Sequence, residues 1–142
     1  MTSAKAAQEQ PTSIAAQAAD TSTVALIEQE IVGLQAVRDA LEAEQQALEA
    51  RDAEALTAAS MLKLQRIEAA QLISAQRAST APDAAALSSN PAAARQFEAL
   101  VKLAGECKAK NEQNGLMINV QRRYLEQTLA VLRNETTEPP LY

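Results

Sequence analysis

Histidine and tryptophan are absent from this sequence, and there is one cysteine, one phenylalanine, two tyrosines and three glycines. Each shortage closes off a class of function. Without histidine there is no phosphorylatable imidazole for a His-phosphotransfer bundle. Carboxylate di-iron bundles, which need Glu-x-x-His pairs, are excluded for the same reason, and so are most nucleophile systems built on Ser-His or Cys-His. A lone cysteine cannot form an intramolecular disulfide. The shortage of aromatic and β-branched residues argues against strands, and the shortage of glycine against phosphate-cradling loops. No metal-ligand spacing is present. The expectation is a non-enzymatic protein with no cofactor.

What remains is rich in alanine, leucine, glutamine and glutamate, all strong helix formers. A length of 142 residues makes one domain the default. Net charge is −5 with an isoelectric point near 4.8, the wrong sign for non-specific nucleic-acid binding. No hydrophobic run follows Lys5 and no apolar segment approaches membrane-spanning length, so neither membrane insertion nor nucleic-acid binding is expected. A cytoplasmic location is the simplest account.

Residues 1–22 are Ala/Gln/Ser/Thr-rich, with Pro11 and only Ile14 to pack, and read as a flexible tail. A first helix is expected over about 23–50, where Val24, Ile27, Ile31, Leu34, Leu41 and Leu48 form one apolar stripe. The register slips at Arg51-Asp52-Ala53-Glu54. Asp52 is a plausible new N-cap there, with Glu54 favoured by the helix dipole in the first turn. A second helix over about 53–78, folded back as a hairpin, follows; one continuous, gently kinked helix is the alternative. Residues 79–91 form the clearest loop, and Pro82-Asp83 suits a short turn. Asn90-Pro91, an N-cap followed by proline, opens a third helix over about 91–134, and 135–142 is expected to be a flexible tail.

On this third helix Phe97, Leu100, Ala104, Cys107, Asn111, Asn114, Ile118, Leu125 and Leu132 follow three-four spacing, broken at Gln121. The fold class expected is all-α: an antiparallel bundle of three long helices, a hairpin plus a longer C-terminal helix, with coiled-coil-like packing. Acidic helix 1 is matched by basic helix 3, and such flanks choose partner and orientation more than they add stability. Glu42, Glu44, Asp52 and Glu54 read as solvated surface, Cys107 as a small buried hydrophobe and Tyr124 as a core-edge residue. At the expected lengths the third helix spans about 65 Å and the other two about 40 Å each, so part of it should stay uncovered. The uncovered part is expected around Met117, Ile118, Leu125, Leu129 and Leu132. An open apolar groove on a small helical protein suits a partner helix, and the same residues equally suit a core face toward helix 1. Asn111 and Asn114 suit either register control or hydrogen bonds to a bound backbone.

The run Lys110-Asn111-Glu112-Gln113-Asn114-Gly115-Leu116-Met117-Ile118, followed by leucine-patterned sequence to Leu132, resembles the C-terminal half of the FlgN-type flagellar type III export chaperones. The break at Arg51-Asp52 looks like that family's first hairpin, and Leu141-Tyr142 after a Pro-containing spacer matches the start of its C-terminal tail. The family pattern continues into a Gly-Pro-x-Gly stretch where this sequence stops at Tyr142. The resemblance implies a cytosolic carrier of hook-associated (hook–filament junction) flagellar proteins. Such a carrier clamps their amphipathic termini, prevents premature assembly and delivers them to the cytosolic domain of the export-gate membrane protein. The open stripe and its asparagines, Asn111, Asn114, Met117, Ile118, Leu125, Leu129 and Leu132, are the candidates for substrate binding, and by the resemblance Tyr142 is the candidate for gate docking. The alternative is a structural or regulatory coiled coil that self-associates through the same stripe. Weak homo-oligomerisation is compatible with either.

Overall fold

The computed structural model describes residues 10–81, 84–87 and 89–137. Helix α1 runs Gln10–Ala50, α2 Ala53–Thr80 and α3 Pro91–Thr137, with a short 3-10 turn at Ala84–Leu87 before α3. Among the described residues there is no strand. The expected Pro82-Asp83 turn lies outside the described residues, as does the tail from 138 onward.

The α1–α2 break is built by backbone chemistry. Arg51 N–H donates to Leu48 O at 3.2 Å and Asp52 N–H to Ala47 O at 3.0 Å, with Arg51 at φ 53°. This is a Schellman ending whose left-handed position is filled by arginine instead of glycine. Asp52 then caps α2, its Oδ1 accepting from Ala55 N–H at 3.0 Å. The hairpin is therefore real, and the continuous kinked helix is set aside. Asn90 opens α3 in the same manner: its Oδ1 accepts from Ala92 and Ala93 N–H at 3.2 and 3.3 Å, with Pro91 at the first helical position.

Helix α1 starts at Gln10, thirteen residues before the expected start at Thr23. The Ala/Gln-rich segment has strong helix propensity, and a proline in the first turn removes only a donor that has no helical partner. Helices α2 and α3 also run slightly past their expected ends, to Thr80 and Thr137.

Helix α1 is the central element. It packs against both α2 and α3, while α2 and α3 bring no described Cα atoms within 8 Å of each other. The chain runs up, down, up, so sequence neighbours are antiparallel and α1 and α3 run parallel. Their register is constant: Cys107 faces Leu34, Asn114 faces Leu41 and Gln121 faces Leu48, a 73-residue offset at every heptad. Opposite charges join this pair across a parallel seam: Lys110 of α3 meets Glu42 of α1 at 3.3 Å as expected, whereas Arg38 of α1 meets Glu106 of α3 at 3.9 Å in the reverse sense.

Two apolar clusters make the core. One joins Ile27, Ala81, Leu87, Ala93 and Leu100; the other joins Val37, Leu41, Ala70, Leu103 and Cys107. Both lie on the α3 side at or before Cys107. Gly33 faces Ala70 on α2, where a Cβ would make an ordinary van der Waals contact at 3.6 Å, so the packing there does not depend on glycine.

Buried charge completes the packing at two points. Arg77 pairs with Glu30, donates to Ala81 O at 3.0 Å and lies 5.0 Å from the Phe97 ring centroid, tying the end of α2 to both other helices. Glu44, expected on the surface, is fully buried. It accepts from Ser60 Oγ–H at 2.7 Å, Lys63 Nζ at 3.0 Å and Asn114 Nδ2 at 3.0 Å. Burial alone would raise its pKa. The bonds from Ser60, Lys63 and Asn114, with the lysine charge, outweigh burial and hold it below its ordinary value.

Candidate substrate-binding groove

The register that aligns α1 with α3 also leaves α3 uncovered. At a 73-residue offset the last residue of α1, Ala50, lies level with Arg123, and α3 continues to Thr137. Residues 124–137 therefore project about 21 Å beyond the α1–α2 turn. The expected overhang exists, but for a different reason than length. Helix α1 has 41 residues against 47 for α3, and its extra length lies at the opposite end of the molecule.

Apolar side chains line the projecting helix. Leu125 is 59% exposed, Leu129 43% and Leu132 52%, with Tyr124 and Val131 also open. Every described side chain from 122 to 134 is exposed. Where α3 leaves the hairpin, a groove of about 650 Å³ opens. Its floor is the hairpin end, from Leu48 to Leu56 across Arg51 and Asp52, and its wall is α3 at Ile118, Gln121, Leu125 and Leu129. A shallower hollow of about 320 Å³ follows along Tyr124, Thr128, Val131 and Leu132.

Arg51 connects the two surfaces, with its guanidinium carbon 5.9 Å from the Tyr124 ring centroid. Tyr124 is 62% exposed, so it belongs to the groove and not to the edge of the core. Polar groups on the wall are satisfied within the chain: Gln121 Nε2 donates to Leu48 O at 2.8 Å and Thr128 Oγ1 to Tyr124 O at 2.9 Å. An apolar partner would strand neither group without a hydrogen bond.

The candidate residues thus differ in where the fold places them. Leu125, Leu129 and Leu132 lie open on the overhang, while Met117 and Ile118 are half-buried, with Ile118 on the groove wall. Asn114 is 2% exposed, and its amide donates to Leu41 O and Glu44 at 3.0 Å each, so it is committed to the α1–α3 seam. Asn111 is exposed and accepts from Lys63 Nζ at 2.9 Å. Tyr142 lies outside the described residues.

Sequence reasoning missed Leu48, Arg51, Leu56, Gln121 and Tyr124 as groove residues. A signal for Gln121 was present, since it falls seven residues after Asn114 and was read as a break in the stripe when it is part of the seam. Ala104 and Asn111, placed on that stripe, are exposed instead. Cys107 is buried as expected, its thiol pKa pushed up by burial.

Among the described residues no helix is long and apolar enough to cross a membrane. Neither curated proteins nor solved structures give a match. A family model described as FlgN protein matches residues 19–142, which takes in all three helices from the start of the α1–α3 seam and the whole groove. The chain belongs to the FlgN family of flagellar export chaperones, proteins that bind flagellar substrate proteins.

Proposed function

We propose that the protein is a cytoplasmic chaperone for hook-associated flagellar proteins, and that it holds their amphipathic terminal segment in the groove at the free end of α3. The observation that carries this reading is the α3 overhang, where Leu125, Leu129 and Leu132 stay exposed beside the hairpin end. A helix lays three or four apolar side chains per two turns along one face, which suits a wall of this length. A segment disordered before binding orders as it docks, at a cost of a few kcal/mol. The complex therefore stays releasable. Bound cargo cannot assemble in the cytosol, and release at the type III export gate completes the cycle.

Leu125→Asp and Leu129→Asp are expected to abolish co-purification of hook-associated proteins while circular dichroism stays unchanged. Retained binding in both variants would overturn the groove assignment. Gate docking is assigned to Tyr142 on the strength of the resemblance alone. Tyr142→Ala should leave cargo co-purification intact and lower secretion of the cargo; unchanged secretion would remove Tyr142 from the mechanism.

A further inference from the structure

Three side chains of α3 donate to backbone carbonyls of α1 at successive heptads. Cys107 Sγ reaches Leu34 O at 3.5 Å, Asn114 Nδ2 reaches Leu41 O at 3.0 Å and Gln121 Nε2 reaches Leu48 O at 2.8 Å. The acceptors are alike, but the donors are graded. A thiol is a weak donor and an amide a strong one, and from cysteine through asparagine to glutamine each side chain extends farther from its own backbone. The grading follows the packing. Cys107 and Asn114 are buried, Gln121 is half-buried, and every described side chain from 122 to 134 is exposed. Leu48 O is also a particular acceptor. It lies in the last turn of α1 and takes Arg51 N–H at 3.2 Å, so Gln121 helps to end α1 from a neighbouring helix. Leu48, Arg51 and Gln121 all line the groove.

We propose that the α1–α3 seam widens toward the hairpin end and that Gln121 sets the width at which the groove opens, which makes it a positioning residue for the bound segment. Its Nε2 is turned to Leu48 O, so it acts on cargo through Leu125 and Leu129, four and eight residues farther along the same face of α3. The length of the side chain fixes how far that wall stands from the floor at Leu48 and Leu56. A docked helix touches floor and wall together only at a matching separation, because a gap of about 0.5–1 Å forfeits a quarter to a half of each van der Waals contact. Groove width thereby selects the size of the apolar side chains that the cargo presents. That role rests on the function proposed above; the setting of the width by Gln121 does not.

The test combines a distance within the full chain with cargo binding. Spin labels at Glu54→Cys and Ala130→Cys, both exposed and neither lining the groove, report the separation of hairpin end and overhang, while buried Cys107 stays unlabelled. Binding of a purified hook-associated protein is measured by titration calorimetry. Gln121→Glu keeps the length but sets an acceptor against Leu48 O, and should lengthen and broaden the distance. Gln121→Asn keeps the donor on a shorter arm, and should shorten it. Each should weaken cargo binding about tenfold. Leu100→Val, which loosens the first core cluster three heptads before Gln121, should change neither readout. Unchanged distances in both glutamine variants would overturn the inference. Equal changes in Leu100→Val would do the same, since Gln121 would then act through stability alone. Shifted distances with full cargo affinity would remove the positioning role. A parent chain that binds no hook-associated protein would instead remove the cargo reading, and the two distances would still decide whether Gln121 sets the groove.

Discussion

The two halves of α3 share one helix and one pattern of apolar residues, yet they do different work. Before Cys107, Ala93, Leu100 and Leu103 are buried against Ile27, Val37 and Leu41, and the contact is apolar. Between Lys110 and Gln121 the seam turns polar, with Lys110 on Glu42, Asn114 on Glu44 and Leu41 O, and Gln121 on Leu48 O. Beyond Gln121 the leucines continue, but among the described residues no helix buries them. Apolar residues fix a fold only where a second surface covers them; left open, they are available to another molecule. The polar middle keeps α3 in register with α1 and lets the apolar spacing run on into solvent.

Substitutions that strip the covered half should cost the most. Arg77→Ala leaves Glu30 buried with its cation gone and Ala81 O without its guanidinium donor, an expected loss of about 3–5 kcal/mol by urea denaturation. Leu100→Ala opens a cavity in the first cluster and should cost about 2–5 kcal/mol. The matched change on the open half, Leu129→Ala, should shift stability by no more than about 0.5 kcal/mol. Equal costs for Leu100→Ala and Leu129→Ala would mean that the overhang is covered within the chain.

The polar middle should respond to acid. Glu44 has its pKa lowered in the folded chain, so its contribution to stability is present above its ordinary value near 4.5 and is lost as pH falls through the lower, folded value. Glu44→Gln keeps the shape but removes the charge facing Lys63, and should cost about 1–3 kcal/mol at neutral pH. Thermal melts across the acid range should show a shallower loss of stability for the variant than for the parent. Parallel curves would mean that Glu44 plays no part in joining the three helices.

Much of this arrangement could be read from residue order. The Asp52 and Asn90 caps act by local hydrogen bonds, so the two helix starts were legible from a few residues. The start of α1 was not: from Gln10 to Asp20 only Ile14 offers a periodic apolar signal, and helix propensity alone sets no boundary. Charge also misled. Glu44 was read as solvated surface, although Ile27, Glu30, Leu34, Val37, Leu41, Glu44 and Leu48 step three and four residues along one face. Whether a carboxylate on such a face is buried depends on a cation arriving from another helix, here Arg77 or Lys63, and one helix's sequence does not contain that partner. The overhang was found by comparing lengths, but it comes from the offset between α1 and α3, which is set by side chains 73 residues apart.

The smallest expected effect lies at the junction of the covered and open regions. Arg51 adopts φ 53°, a left-handed conformation that costs a residue with a Cβ about 1–2 kcal/mol, and Arg51→Gly would relieve it. The same change removes the guanidinium beside Tyr124, an exposed contact worth about 0.5–1 kcal/mol. The net gain should therefore be small, a few tenths to about 1 kcal/mol. In a Tyr124→Ala background the contact is already gone, and Arg51→Gly should yield the larger, undivided gain. A double-mutant cycle by urea denaturation separates the two contributions. Identical gains in both backgrounds would show that Arg51 does not hold Tyr124 against the hairpin end. Among the described residues, the hydrogen bond from Gln121 to Leu48 O would then be what joins the floor and wall of the groove.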